Sequence, residues 1–574
     1  MKKTIAALSV AALLTAAGTA GAQWSSDPLV NTPICTANGP QIQPKIVRAT
    51  DGTFWVSWLD NRDGAGYDVY MQHVSAGGVP LLAADGVRVL DTSFSSTVDY
   101  DLEAAGTGAV VAHRTATAVF VGKMNSAGTL DWSSTLTTVK ANNNDPKLTI
   151  MSDGSVVCAY SSALASGSTN TYLEIQRLDG ATGATVWPAP VVLGEAGKRY
   201  LASDVLESDN LSVWVSNHYQ NGTGFTAFRY PSYQKISSAG ATLFGVTAVV
   251  NGVSATTTPI FYNTDSMNGT FYPLYQPDGA GGFYTSWYGG SISTFRQRYQ
   301  HIDAGGVKQF NPEIIAANAT LSGGASFSLV AGATIADDNV FMSSLFYNNS
   351  GQGQRGVVAE RFDGAGNALW GAASGRVIDP LSALDKSFVQ GQADATGYTV
   401  AWFGYTGATT QFVKAARLNL DATDAWTPAI LEVSSNNTAK GRLTNVKDGT
   451  GIVLAWHEDR LGGTGTDIIL QRITRGGLLG ADPVVVTRCQ PADIADDAGN
   501  PLPSAGANNG VNEGDYNAFF NTFFTNQAIG SPADIANDDG SSLPPFGPAG
   551  GTNNGVNEGD YNAFFNNFFN GCGG

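Results

Sequence analysis

The sequence predicts a mainly β body of repeated small sheets followed by a short helical tail, and three observations predict it. Only 14% of the 574 residues are charged, 69 are glycine, and no long stretch carries helical periodicity. Short apolar runs are instead broken by Gly, Asp-Gly and Asn-Gly signals, the mark of antiparallel strands joined by tight turns. A strand ending in a polar–basic–aliphatic triplet then recurs through the first 488 residues. Last, the stretch NNGVNEGDYNAFFN occurs twice, letter for letter, from Asn508 to Asn521 and from Asn553 to Asn566. An exact duplication of that length marks a tandem repeat of one small unit.

The chain opens on a segment with the features of a signal peptide, residues 1–22. Lys2 and Lys3 form a charged start, Ile5 to Ala17 an apolar run, and Ala20-Gly21-Ala22 a small-residue cleavage site. The run is too short to span a bilayer, and no later stretch reaches the needed length. The mature protein is expected to begin near Gln23 and to be exported, secreted or held at the cell surface, without a lipid anchor.

Residues 23–488 carry the body. The triplet appears as Gln72-His73-Val74, Gly122-Lys123-Met124, Gln176-Arg177-Leu178 and Gln234-Lys235-Ile236. It continues as Gln300-His301-Ile302, Glu360-Arg361-Phe362, Ala416-Arg417-Leu418 and Gln471-Arg472-Ile473. Ahead of each lies a β-rich run often ending in an aromatic, and after several comes a Gly-x-x-Trp type segment. Units of this length, each worth three or four strands, indicate a β-propeller. A sheet apolar on both faces has both buried when stacked between neighbours in a ring. Eight blades is the direct count, and seven if a terminal unit is incomplete or lies outside the ring; a solenoid or a pair of β-sandwiches is the competing fold.

Within the body, nine of the eleven tryptophans fall at repeat-equivalent positions, which reads as packing between units rather than a carbohydrate platform. Trp24 and Trp55 escape the pattern. The most polar loops are Trp58 to Gly64, leading to Asp68, and Trp456 to Arg460, leading to Asp467. Their Asp–Arg pairs read as loop fasteners, with an acid pair or cation site as the functional alternative. The five histidines show no metal-ligand spacing, and His73 and His301 are expected at the strand surface. No serine or cysteine nucleophile motif and no phosphate loop is present. Asp51-Gly52 and Asp153-Gly154 read as hairpin turns.

The tail, residues 489–574, holds ten Asp and Glu and no Lys or Arg. It therefore carries −10 of the total charge of −17, leaving −7 for everything before it. That excludes a basic nucleic-acid surface and fits a tail that needs a cation to be compact. Each repeat reads as a metal loop and a short helix. Asp493, Asp497, Asn512 and Asp515 in the first copy, and Asp534, Asp538, Asn557 and Asp560 in the second, are hard oxygen ligands of the kind Ca²⁺ takes. Phe519, Phe520, Phe523 and Phe524 follow at helical spacing and recur at Phe564, Phe565, Phe568 and Phe569, so each copy is expected to offer one apolar face to the other. An acidic, Asn-rich solvated tail without metal is the bland alternative.

On these residues the tail resembles a dockerin, the small module of two Ca²⁺-loop–helix repeats that docks cohesin domains. Asp493 and Asp534 match its first loop position, Asp497 and Asp538 its fifth, and Val511 to Asp515 and Val556 to Asp560 its close. Ala495 and Ala536 stand where a ligand is usual, with Asp496 and Asn537 beside them. The resemblance implies Ca²⁺ as cofactor and a cohesin-like or other cell-surface protein as partner. Cys489 and Cys572 frame the module and a bridge between them suits an exported domain with a small core. Cys35 and Cys158 could pair, or Cys158 could be a buried free thiol.

The functional expectation is an exported binding or scaffold protein, its body recognising a glycan or protein and its tail holding it to a partner. The runner-up is a secreted carbohydrate-active hydrolase with a dockerin-like anchor.

Overall fold

The structure, a computed structural model, describes residues 24–569 apart from 95–99, 116, 137–141, 166–167, 222–227, 261–272, 290–295, 312, 316–327, 336–340, 349–353, 371–374, 407–410, 450, 461–464, 481–489, 503–509, 544–545 and 547–550. The signal-peptide segment and the Cys489–Cys572 bridge lie outside the described residues. Contacts divide the chain into two units, Met1–Gly480 and Ala481–Gly574.

The first unit is mainly β. Its strands form successive antiparallel meanders, here numbered units 1 to 8, whose first strands are Gly39–Arg48, Tyr100–Ala105, Asn142–Ile150, Lys198–Glu207, Leu274–Pro277, Ser328–Ile335, Asp385–Asp394 and Lys440–Asp448. Strands such as Phe54–Asp60, Val156–Ala163 and Tyr172–Leu178 are buried at every residue. That is the signature of a sheet covered on both faces, and it explains why these runs do not alternate in polarity. Each first strand packs against the first strand of the next unit, and Lys440–Asp448 packs against Gly39–Arg48, so the contacts run in cyclic order.

Two units depart from four consecutive strands. Unit 4 keeps three in its own sheet; the chain beyond it forms the hairpin Thr247–Val250/Val253–Thr256, which joins the edge of unit 3 where Leu193 meets Thr256. Unit 8 draws its outer strand from the other end of the body: Thr32–Cys35 pairs antiparallel with Gly465–Thr474.

One contact recurs between units. The indole N–H of a tryptophan in or just ahead of the outer strand donates to a turn carbonyl of the following unit: Trp132 to Gly180 at 3.0 Å, Trp187 to Ser238 at 2.9 Å, Trp370 to Leu420 at 2.9 Å and Trp426 to Arg475 at 2.8 Å. Under Trp132, Trp187 and Trp426 the ring lies on a glycine of that turn; in the turn that Trp370 meets, Ala422 holds the left-handed position with φ 69. Gly183 has φ +71, and a Cβ there would stand 2.5 Å from the Trp132 ring, so both the left-handed backbone and the close approach require glycine. Trp24 does the same at the junction of the body's two ends, with its indole 2.7 Å from the Ala76 carbonyl and its ring against Gly78. Sequence spacing places Trp24 outside the repeat; spatially it completes it. All eleven tryptophans are buried.

The basic residue of the triplet also works between strands and units. Arg417 grips both oxygens of Asp394 at 2.8 and 2.9 Å, and Lys123 donates to Gly180. His73 and His301 differ from the expected surface position. Each stacks on a neighbouring ring, Trp55 at 4.4 Å and Tyr284 at 4.2 Å, because the next unit covers the strand on that side. Cys35 and Cys158 are unpaired and buried in different strands. Burial pushes the Cys35 thiol up to about 12 and Cys158 higher still.

The second unit contains two helices, α1 (Glu513–Phe523) and α2 (Glu558–Phe568). Asn512 and Asn557 cap them in reciprocal capping boxes with Asp515 and Asp560. Phe519 and Phe564 stack at 4.0 Å, and Tyr516–Phe568 at 5.8 Å is mirrored by Phe523–Tyr561 at 5.9 Å. The two copies thus pack face to face, closing over Ile494, Ala495, Ile535 and Ala536. Phe524 and Phe569 are 71% and 80% exposed. Each sits at the C-cap, one residue past its helix, so the apolar face is one phenylalanine shorter than the spacing suggests.

Candidate functional site

In the tail, the leader and the helix start of each repeat are brought together. Asp515 accepts the N–H groups of Ile494, Ala495 and Asn512 at 2.6 to 2.8 Å; Asp560 repeats this with Ile535, Ala536 and Asn557. Both carboxyls therefore tie the leader to the helix. Burial raises both above the ordinary carboxylate range, these N–H donors pull them back, and the charges of Asp493 and Asp534 add to the rise. Asn512 bridges to Asp497 at 2.6 Å and Asn557 to Asp538 at 2.7 Å. Asp496 and Asn537 turn into their own loops, Asp496 onto the N–H groups of Ala498 and Asn500 and Asn537 onto Ser541. They do not replace the ligand missing at Ala495 and Ala536.

Asp534 decides whether a cation fits. One of its oxygens accepts from Gly530 and Asn553. The other, Oδ1, is buried and has no partner, although a carboxylate oxygen left unpaired in the interior is costly. Asp560 lies within its electrostatic reach, and the tail contains no Lys or Arg to answer either charge. The free Asp534 oxygen is of the kind a hard divalent cation takes, whereas Asp538, Asn557 and Asp560 already spend their side-chain oxygens on hydrogen bonds within the repeat. Asp493, Asp497, Asn512 and Asp515 form the equivalent set. Among the described residues no three His, Cys, Asp or Glu side chains already converge as a metal cluster, since Asp515 and Asp560 aim both oxygens at backbone N–H groups.

In the body, the polar loops are fasteners. Asp60 is buried and accepts the indole N–H of Trp58 at 2.7 Å and three donors of Arg62, whose guanidinium lies 3.9 Å over the Tyr70 ring. Glu458 plays the same part, taking Trp456 and Asn436 at 2.9 Å, while Arg460 bonds Asp467 and the Ala37 carbonyl. Neither loop presents an acid pair to solvent.

The chemistry-bearing groups of the body stand instead on the first strands. Asp101 of unit 2 accepts Lys45 Nζ of unit 1 at 3.1 Å and the Leu148 N–H of unit 3 at 2.9 Å. Glu103 and Asp204 are half-buried. Burial, with the Asp101 charge added, pushes Glu103 up to about 8 and Asp204 up to about 7. Several first strands also share a bulge. Their pairing slips between Ile42 and Lys45, Ser387 and Gln390, and Gly441 and Thr444. The residues at the slips, Gln43, Phe388 and Arg442, have φ of 53, 48 and 58. Left-handed non-glycine backbone of this kind costs of order 1–3 kcal/mol each and clusters at functional sites. Units 7, 8, 1 and 2 meet around these residues at a cavity of about 260 Å³. Sequence reasoning missed all of them. The alternation Asp101-Leu102-Glu103 was a usable signal for the carboxyls; nothing local marks a Gln, Phe or Arg that will turn left-handed.

No family model matches the chain, and no curated protein matches it. Among solved structures it is similar to a polysaccharide lyase described as an ulvan lyase (9% identity, TM-score 0.44, 79% of this chain and 98% of that one). It is also similar to an α-L-arabinanase from Penicillium chrysogenum (10% identity, TM-score 0.33, 77% and 98%). At these values the likeness carries no argument about function.

Proposed function

We propose that the protein is an exported recognition protein, an eight-bladed β-propeller tethered through a C-terminal Ca²⁺-dependent, dockerin-like module to a cohesin-like or other cell-surface partner. The propeller binds a glycan or protein ligand. The observation that carries this reading is the orphaned Asp534 oxygen, in a repeated loop–helix fold with no basic residue of its own. Cyclic packing of the first strands, with Thr32–Cys35 and Trp24 filling the open places of unit 8, supports eight blades over seven. Ca²⁺ in the tail would neutralise the facing carboxylates and draw leader and helix start onto one ion.

Calorimetric titration of the mature chain with Ca²⁺ after chelation tests it. About two ions bound per chain, with a higher melting temperature for the tail, is expected. Loss of one of them in Asp534→Asn would assign the site, and no heat of binding would sink the calcium reading.

A second reading, a secreted carbohydrate-active hydrolase or lyase, is favoured by Glu103 and Asp204, first-strand carboxyls that burial and the Asp101 charge hold above the ordinary carboxylate range, as a general acid requires. Turnover on a polysaccharide panel, abolished by Glu103→Gln or Asp204→Asn, would establish it. Asp60, fastened to Trp58 and Arg62, is not offered as its source of acid.

A further inference from the structure

The cavity between units 7, 8, 1 and 2 differs from the rest of the body surface in what lines it. Phe388 is 38% exposed, a large ring left open to solvent on a strand whose neighbours are covered. Its edge is steadied by Phe403 at 5.7 Å. Arg442 is exposed and makes no hydrogen bond or ion pair with any described residue, unlike Arg62, Arg417 and Arg460, which are all tied to carboxylates. Gln43 and Thr444 add an amide and a hydroxyl, and Lys45, already answered by Asp101, flanks them. The Gln43 carbonyl is held by the Tyr100 hydroxyl at 2.8 Å, so the bulge that positions the amide is itself braced.

An open aromatic face, a neutral amide and hydroxyl, and a single unanswered guanidinium form a set with a particular chemistry. The ring offers a stacking surface for the C–H face of a sugar, the amide and hydroxyl serve its hydroxyls, and the guanidinium forks onto a planar or tetrahedral anion. The volume falls below the ~300–1,000 Å³ usual for drug-sized ligands, so the cavity takes one sugar unit or a chain end rather than an extended polymer. Three of the lining residues hold left-handed backbone, a conformation that glycine would adopt without strain.

We propose that this cavity is a binding site for an acidic saccharide, the sugar ring lying on Phe388 and its carboxylate or sulfate held by Arg442. The inference rests on the reading of the body as a recognition domain and names its ligand class.

The test is binding of the full mature protein to a uronate oligosaccharide, to a sulfated one and to a neutral one of equal length, measured by calorimetry at two salt concentrations. Either acidic probe is expected to bind and to weaken with salt, the better of the two identifying the anion, while the neutral probe does not bind. Arg442→Asn, which tolerates left-handed backbone, is expected to keep or raise the melting temperature and to weaken binding about tenfold or more. Phe388→Leu should weaken it with the salt dependence unchanged. Acidic saccharides bound equally by Arg442→Asn, or neutral ones bound as tightly, would overturn the proposal. A neutral glycan or protein found on a broad array with affinity unchanged in both variants would overturn the cavity but leave the recognition reading standing. An array with nothing bound would overturn both.

Discussion

The indole N–H of Trp24 lies 2.7 Å from the carbonyl oxygen of Ala76, and its ring covers Gly78. This single side chain brings the start of the body onto unit 1 in the way Trp132, Trp187, Trp370 and Trp426 join their own units to the next. Its replacement by alanine removes a buried ring and leaves a void that the stiff flanking sheets cannot fill. Trp24→Ala is expected to cost about 3–5 kcal/mol in urea unfolding, as much as Trp187→Ala in the middle of the body. A cost near zero would mean that unit 8 does not depend on the first strand.

Glu360 stands where Gln72, Gln176, Gln234 and Gln300 stand in other units. Those amides accept the N–H of the next residue and donate to a carbonyl of the segment that follows the third strand, as Gln234 does to Phe244 and Gln300 to Phe310, both at 2.8 Å. A carboxylate lacks the donor, and burial pushes Glu360 up to about 8. Its folded value lies above the unfolded one, near 4.3. The stability it contributes is therefore full below that value and lost as pH climbs through 8. Glu360→Gln should nearly match the parent at pH 4.5 and exceed it by about 4–5 kcal/mol at pH 8.5 in chemical denaturation.

The thiols of Cys35 and Cys158 are buried with no positive charge able to hold a thiolate against the cost of burial. Both should resist a water-soluble disulfide reagent at pH 8 in the native protein and react at once in denaturant. Rapid reaction of the native protein would show that the strands carrying them open.

Phe519 and Phe564 share one stack, so each depends on the other. Alanine at either position should lower the unfolding free energy of the tail by about 3–5 kcal/mol. The double variant should cost clearly less than the sum, as circular dichroism of the helix signal would record.

Much of this architecture is legible in the sequence because its causes are local. The triplets mark third strands, since the polar residue and the basic residue each have a fixed partner within a unit or in the next. The tail helices announce themselves through Asn512 and Asp515, a capping box whose two residues lie three apart. What stays hidden depends on distant partners. Trp24 reads as an outlier until Ala76 and Gly78 are beneath it. Asp515 reads as a metal ligand by type and spacing, while its N–H partners Ile494 and Ala495 lie about twenty residues back across an insertion. The cavity is the least legible of all. Gln43, Phe388 and Arg442 come from three units and are brought together by bulges that ordinary side chains do not signal.

Asn31 hydrogen-bonds Gln471 across 440 residues of chain, beside the strand pairing that completes unit 8. A body whose first and last strands pair at that point cannot be finished by degrees during synthesis. Until the last body unit exists, the earlier ones can form only a row whose two ends present unpaired strand edges, a template for joining other chains. A product ending before residue 465 would therefore not be a smaller version of the same protein. It would be an open strip inclined to associate, and the harm done by that strip would be quite separate from the loss of the finished molecule.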